Sequence, residues 1–113
     1  MSNSYLLLYN GGKMPETDGE RKTTMDAWNA WFAKHGPAIT DAGNPFSSEA
    51  RTISPEGKVT TGAHAAASGY TVIKADSIDK ALEIAKGCPV LLGGASVSVF
   101  ETFDVMTMAP AKA

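Results

Sequence analysis

The clearest pattern of hydrophobic and polar positions lies in Gly69–Pro89, GYTVIKADSIDKALEIAKGCP, where an apolar run is followed by a short amphipathic segment. The run Tyr70–Ala75 has little polar content and predicts a strand with two apolar faces. Asp76 or Ser77 then places a side-chain oxygen where the first free amide groups of a helix need an acceptor. This segment therefore predicts a strand, a cap and a helix in immediate succession.

Residue spacing in that helix predicts which side is buried. Ile78, Leu82 and Ala85 fall on one face, with Ala81 beside them, while the charged residues point outward. Gly87 predicts a left-handed C-cap, because glycine adopts positive φ without a steric penalty. We expect the apolar face to pack against a sheet.

A second amphipathic segment predicts a longer helix from about Glu20 to Lys34. Its apolar stripe recurs at spacings of three and four residues and contains Met25, Trp28, Trp31, Phe32 and His35. An aromatic stripe of this kind usually belongs to a core, and part of it can instead line a pocket.

Two apolar runs near the ends of the chain predict further strands. Ser4–Tyr9 is apolar on both faces, and Ser96–Phe103 alternates apolar and polar residues. A strand with two apolar faces needs a cover on each side. We therefore expect one face of the sheet to pack on the helices and the other on a second copy of the chain.

The middle of the chain predicts one more strand and an inserted hairpin. Pro37–Phe46 begins as a short strand and ends in a turn that contains glycine and proline. Arg51–Ile53 and Lys58–Thr60 flank a proline-containing turn, which predicts a β-hairpin over about 50–61. The tail 104–113 has no clear pattern and is expected to be frayed.

The order of these elements predicts a ferredoxin-like βαββαβ fold of the α+β class, with an antiparallel sheet, two helices on one face and an inserted hairpin. A chain of 113 residues is long enough for one modest core but not for two, so we expect a single domain over 1–113 with its core at about 4–103. The open sheet face predicts a homodimer with the two sheets face to face.

Composition and charge exclude several classes of function. Ten basic and twelve acidic residues give a net charge of −2 without any basic run, which argues against nucleic acid as a partner. The apolar runs are too short for a membrane-spanning helix, and no secretory signal pattern is present, so we expect a cytoplasmic protein. Cys88 is the single cysteine, which excludes an internal disulfide and a Cys/His zinc cluster.

Four segments together resemble the YCII-related family, whose members are often called DGPF-domain proteins. The segments are LLLYNGG, HGPAITDAGNPF, SGYTVIKADSIDKALEIAKGCP and SVSVFETF, and the resemblance extends from about Tyr5 to Phe103. It implies a ferredoxin-like fold related to the dimeric α/β barrels, usually a dimer, with a cleft between sheet and helices. For some members it also implies small-molecule lyase or dehydrochlorinase-type chemistry, with a His–Asp pair whose histidine lies on the first helix.

The chain departs from this family pattern in two places. The segment that names the family is Thr61-Gly62-Ala63-His64 here, so only its glycine fits Asp-Gly-Pro-Phe. The first half of the first helix has Thr24, Met25, Asp26 and Trp28 where those members have the histidine. A catalytic pair in this chain must therefore be sought at other positions.

Two histidines and one aspartate are the candidate catalytic residues. His35 ends the first helix, and Asp41 on the next strand would orient it as a general base if the chain turns back tightly. The alternative is a partly exposed histidine without a role. His64 lies in a small-residue linker, where loops often carry function, and its alternative is an exposed loop histidine.

Three further residues are candidates for substrate binding. Asn44 follows the short strand and offers both a donor and an acceptor, or it caps its own backbone. Tyr9 ends the first strand with its hydroxyl toward the same cleft, or it is a core tyrosine. Trp28 belongs to the aromatic stripe and would form a wall of the pocket. No metal site and no organic cofactor are implied.

These residues predict a small-molecule-binding protein or a cofactor-independent enzyme of lyase or isomerase type, acting in a cleft of a homodimer. The alternative is a non-catalytic regulatory or interaction module that dimerises through its sheet. No motif specifies the reaction or the substrate, so whether the protein is an enzyme is left open at this point.

Overall fold

The computed structural model describes residues 3–13, 15–63, 66–106 and 109–110, with the backbone alone for residue 109. Two α-helices and eight short strands lie within these ranges. In chain order they are β1 (Asn3–Asn10), α1 (Asp18–His35), β2 (Ile39–Asp41), β3 (Arg51–Ile53), β4 (Val59–Thr61), β5 (Ala67–Ala75), α2 (Ile78–Ala85), β6 (Ser96–Glu101), β7 (Phe103–Asp104) and β8 (Ala109–Pro110). Short 3₁₀ helices follow each α-helix, at Gly36–Ala38 and Pro89–Gly93. No helix in the described ranges is long and apolar enough to cross a membrane.

Four strands form one antiparallel sheet in the order β2-β5-β1-β6. Residues of both helices join the same buried cluster as alternate residues of β1 and β5, so both helices pack on one face of this sheet. The β3–β4 hairpin is inserted between the second and third strands of the sheet in chain order. This arrangement is a ferredoxin-like α+β fold, as the sequence predicted.

Alternation along the central strands separates a closed face from an open one. Tyr5, Leu7 and Tyr9 of β1 are buried under the helices, whereas Leu6 and Leu8 are only half-buried on the opposite face. The other members of the buried cluster are Trp31, Ile73, Ala75, Ala81, Ala85 and Cys88. The apolar core therefore lies between one sheet face and the two helices.

Helix α1 is slightly longer than predicted, and its buried stripe is narrower. Thr17 caps it, with Oγ1 accepting a hydrogen bond from the backbone amide of Glu20 at 3.0 Å. Trp31 is buried and Phe32 is partly buried, but Met25 is 58% exposed. The expectation that Met25 belongs to the stripe is wrong, because the residues that contact the core lie in the second half of the helix.

Helix α2 packs on the sheet through only part of the predicted face. Ala81 and Ala85 are buried, while Ile78 and Leu82 are each 40% exposed. Small alanine side chains permit a close approach of the helix backbone to the sheet, which moves the two larger residues to the edge of the contact. Gly87 lacks the expected positive φ, because the C-cap is right-handed and the chain turns directly into the 3₁₀ helix.

The end of the described chain differs from the predicted frayed tail. Phe103–Asp104 pairs with Ala109–Pro110 in a small antiparallel ladder. Asp104 Oδ1 accepts a hydrogen bond from the backbone amide of Met106 at 2.9 Å, and this bond stabilises the start of the turn. Strand β6 therefore ends at Glu101 rather than at Phe103.

Candidate functional site

Tyr9 lies in the middle of a buried chain of hydrogen bonds that crosses from the helix layer to the edge of the sheet. Thr71 Oγ1 donates to the carbonyl oxygen of Ala42 at 2.9 Å. Since the only hydroxyl hydrogen of Thr71 is used in this way, the Tyr9 hydroxyl is the donor in its 2.5 Å bond to Thr71. The Cys88 thiol donates in turn to the Tyr9 hydroxyl, with 3.4 Å between sulfur and oxygen. All three donors therefore point in one direction.

Burial keeps the Tyr9 hydroxyl and the Cys88 thiol of this chain of hydrogen bonds protonated. Burial raises the pKa of the Tyr9 hydroxyl well above its ordinary value, and the bond from Cys88 adds to the effect. Burial also raises the pKa of the Cys88 thiol. Neither group is an anionic nucleophile at neutral pH, so the chain of bonds serves to hold Tyr9 in place.

An aromatic cluster of α1 covers Tyr9. The Trp28 ring lies 6.0 Å from the Tyr9 ring, between centroids, and contacts Trp31 and Phe32 at 5.7 and 5.5 Å. Two of the residues predicted to bind substrate, Tyr9 and Trp28, are thus in contact. Tyr9 also lies next to the turn that contains Asn44, because it pairs with Gly69 and a Cβ on Gly69 would lie 3.4 Å from the Tyr9 ring and 3.1 Å from the Asn44 carbonyl oxygen.

A groove of about 400 Å³ lies on the outer side of this cluster, between the second half of α1 and the chain that follows α2. The residues that line it are Ala27, Ala30, Trp31, Lys34, His35, Lys86, Gly87, Cys88, Pro89, Leu91 and Leu92. Its floor is apolar, with Trp31 and Cys88 at 4% and 2% exposure. The volume is within the range of small-molecule pockets.

His35 is the candidate catalytic residue that lies in this groove. Its ring makes an edge contact with Trp31 at 6.0 Å between centroids. Partial burial lowers the pKa of His35, and the nearby charge of Lys34 lowers it further, so the ring is neutral at pH 7. Within the part of the chain that the structure describes, neither ring nitrogen makes a hydrogen bond or an ion pair.

Asp41 lies on the other side of the sheet from His35. It is paired across from Val72, and its carboxylate accepts hydrogen bonds from the Gly43 amide at 2.8 Å and from the Tyr70 hydroxyl at 3.4 Å. No ion pair or hydrogen bond joins His35 and Asp41, so the tight turn that would bring them together is not formed within one subunit.

The turn after β2 holds Asn44 near Asp41. The carbonyl oxygen of Asn44 accepts a hydrogen bond from the Tyr70 amide at 3.4 Å, and its side chain is exposed. Gly43 has φ +73°, and a Cβ there would lie 1.7 Å from the Tyr70 carbonyl oxygen, so this turn requires glycine. Asn44 thus lies beside the part of β5 that pairs with Tyr9. His64 is outside the described residues.

The open sheet face carries a continuous set of apolar side chains. Leu8 lies across from Tyr70 in the register of β1 and β5, and Phe46 stacks on the Tyr70 ring at 6.0 Å between centroids. The other apolar residues on this face are Leu6, Val72 and Phe100. Phe46 and Phe100 are 48% and 50% exposed. The second apolar face that β1 predicted is therefore present and uncovered in a single chain.

Sequence reasoning did not find Lys34, Lys86 or Trp31 as site residues. Trp31 and Lys34 lie on α1, and Lys86 follows α2, 52 residues after Lys34 (86 − 34). Only the packing of α1 beside α2 brings them together. No local motif marks this groove. Within residues 3–13, 15–63 and 66–106, no three His, Cys, Asp or Glu side chains are grouped so as to hold a metal ion.

The fold and the groove define a small ferredoxin-like protein with a ligand-sized depression on its helix layer. No protein-family model and no curated protein matches the chain. A similar solved structure is 5-chloro-2-hydroxyhydroquinone dehydrochlorinase (TftG) from Burkholderia phenoliruptrix AC1100, in complex with 2,5-dihydroxybenzoquinone. The TM-score is 0.51 at 17% sequence identity, over 91% of this chain and 97% of that chain. At this identity the similarity supports the fold.

Proposed function

We propose that this chain is a YCII-related protein that binds a small molecule in the groove between α1 and the segment after α2, and acts on it without a cofactor. The four family-like segments support this assignment. So does the fold shared with a dehydrochlorinase whose structure contains a bound dihydroxybenzoquinone. The reaction is of the lyase or isomerase type, in which a proton is removed from the substrate.

The observation that carries this proposal is the position of His35. Its ring lines a ligand-sized groove and has no hydrogen-bond partner among the described residues, and partial burial lowers its pKa, which favours the neutral form. A neutral imidazole accepts a proton near pH 7, which is the property required of a general base. The Lys34 and Lys86 ammonium groups at the same groove would stabilise the negative charge that proton removal leaves on the substrate.

The test begins with a thermal-shift screen of a metabolite library, since a ligand of the folded state raises the apparent stability whatever its chemistry. Each ligand found is then incubated with the wild-type protein and with His35→Gln, and the products are followed by mass spectrometry. We expect conversion by the wild type, and binding without conversion by His35→Gln. Equal conversion by both proteins would exclude His35 as the base.

A non-catalytic binding module is the second candidate function. It is favoured by the absence of any carboxylate among the residues that line the groove, since histidine bases are commonly oriented by one. In the same experiment this function predicts ligands that bind the wild type and are never converted. Asp41, the carboxylate predicted for the orienting role, lies on the opposite sheet face.

We also propose a homodimer in which the open sheet faces meet. Four strands at a spacing of about 4.8 Å, each with about six residues of about 3.3 Å rise, give a face of roughly 400 Å². A stable interface buries about 800 Å² per partner. Exposed apolar residues beyond the sheet, such as Phe46 and the hairpin pair Ile53 and Val59, are available to supply the remainder.

Light scattering at micromolar concentration tests the dimer. We expect the wild type to have twice the mass of one chain and Leu8→Lys to be a monomer, because the substitution places a charge in the apolar interface. Val105→Lys is the matched control, since Val105 is 72% exposed and lies outside the sheet. A monomeric wild type at this concentration would contradict the proposal.

A further inference from the structure

The charge distribution around the α1 groove is one-sided. Among the described residues, its polar side chains are Lys34, His35 and Lys86, and no acidic residue lines it. The chain as a whole has a net charge of −2, so this local excess of positive charge runs against the overall balance.

Four cations outside the groove form ion pairs, whereas the two groove lysines, like Lys13, Lys58 and Lys74, have no side-chain partner among the described residues. Ion pairs join Arg21 to Asp18, Lys22 to Asp26, Arg51 to Glu49 and Lys80 to Glu83. In the described ranges neither Lys34 nor Lys86 makes an ion pair or a hydrogen bond. Both ammonium groups are therefore available to an anion from outside the protein.

The apolar part of the groove consists of a buried floor and an exposed wall. The floor is Trp31, which is 4% exposed and whose indole N–H donates to the Ile84 carbonyl oxygen at 3.1 Å. Leu91 and Leu92 form the wall and are 41% and 74% exposed. A hydrocarbon body that lies against these two leucines would remove apolar surface from water.

We infer that the groove binds a small apolar carboxylate, with its hydrocarbon body against Leu91 and Leu92 and its carboxylate at the Lys34 and Lys86 ammonium groups. His35 lines the same groove. This inference rests on the proposed function, because it names the ligand class for the same groove. It adds that the ligand must have both an apolar body and an anionic group.

A pair of probes with the same shape separates charge from shape. 2-Naphthoate carries a carboxylate, and 2-naphthamide has the same outline without the charge. Each is titrated into ¹⁵N-labelled full-length protein, and the amide and indole signals are followed by NMR. We expect both to shift the signals of Trp31 Nε1–H, Gly87 and Leu92, and 2-naphthoate to bind about tenfold more tightly, as one charge-assisted contact predicts.

Three single variants then test the two lysines. Lys34→Gln and Lys86→Gln should each weaken 2-naphthoate binding roughly two- to fivefold and leave 2-naphthamide binding unchanged. Lys58→Gln makes the same charge change on the inserted hairpin, outside the groove, and should alter neither probe. An increase of salt from about 20 to about 300 mM should weaken the binding of 2-naphthoate alone, because salt screens exposed charges.

The outcomes separate this inference from the function on which it rests. Equal affinity for the two probes, or equal loss in Lys58→Gln, would overturn the anionic ligand while leaving a small-molecule groove in place. Groove signals that move with neither probe, while a metabolite from the screen shifts those same signals, would overturn the apolar carboxylate and leave the proposed function standing. A metabolite that moves other signals and leaves the groove unchanged would overturn both.

Discussion

The buried chain from Cys88 through Tyr9 and Thr71 to the Ala42 carbonyl predicts a specific pattern of stabilities. Thr71→Val keeps the shape of the side chain but removes the acceptor of the Tyr9 hydroxyl, which is buried. A buried donor without a partner costs about 1–3 kcal/mol, so we expect the free energy of unfolding to fall by about 2 kcal/mol. The loss of the Thr71 bond to the Ala42 carbonyl adds little to this destabilisation. Ala42 is exposed, so water replaces the Thr71 hydroxyl as the donor.

Tyr9→Phe removes the donor of the Tyr9–Thr71 hydrogen bond. It should lower the free energy of unfolding by less than Thr71→Val does. Thr71 still donates to the Ala42 carbonyl, so only a weak thiol donor and one acceptor lone pair lose a partner. We expect a loss of about 1 kcal/mol. In the double variant no strong donor is left unpaired. Its cost should therefore be about 1 kcal/mol, which is about 2 kcal/mol less than the sum of the two single losses.

Urea denaturation at one fixed protein concentration measures these four proteins, because association would make stability depend on concentration. A loss of 2 kcal/mol lowers the midpoint by roughly 1 M for a slope of about 2 kcal/mol/M. Thr40→Val is the control: its exposed hydroxyl donates to the Val72 carbonyl at 3.2 Å, and we expect a loss below about 0.5 kcal/mol. Additive single effects, or a larger loss for Tyr9→Phe than for Thr71→Val, would refute the directed chain of hydrogen bonds.

Three further predictions concern the turn after β2, the groove histidine and the cap of α2. Gly43→Ala should cost more than 2 kcal/mol or prevent folding, whereas Gly57→Ala, also at positive φ but in open space, should cost about 1 kcal/mol by urea denaturation. By NMR titration His35 should have a pKa below its ordinary value of about 6.5, and Lys34→Gln should raise it only in part, because burial is the larger cause. Since folding disfavours the charged ring, the stability contributed at this position should decline as the pH falls below about 6.5, and His35→Gln should not show that decline. Ser77→Ala should lower stability by about 1 kcal/mol, because Ser77 Oγ accepts the Lys80 amide at 3.2 Å, and an unchanged urea midpoint would contradict the role of this cap.

The sequence alone predicted both helices, the four strands of the main sheet and the inserted hairpin in their order, because each is encoded by neighbours along the chain, but it did not predict the β7–β8 ladder. The strand-length apolar run Ser4–Tyr9 matches β1, and the period near 3.6 in residues 20–34 matches α1. Turn residues marked the inserted hairpin. Chain connectivity then left the antiparallel βαββαβ arrangement as the natural way to bury these faces, so the fold followed from local information.

The rotation of α2 and the composition of the groove were decided by tertiary packing. Hydrophobicity favours Ile78 and Leu82 as the buried residues, but close approach to the sheet selects Ala81 and Ala85. The size of the side chains, and not their hydrophobicity alone, thus determined which face of α2 is buried. Spacing along one helix carries no information about how near the opposite helix lies.

The candidate site shows the same division. The sequence indicated His35 as a residue with chemistry, and the structure places it in a groove. The partner predicted for it, Asp41, follows only six residues later (41 − 35), yet it points to the open face because β2 pairs with β5 in a register that aligns Asp41 with Val72. The cations near His35 are Lys34, its neighbour in the chain, and Lys86, which only the packing of the two helices brings close. Nearness in sequence decides the order of elements, but side-chain direction and helix packing decide which groups meet.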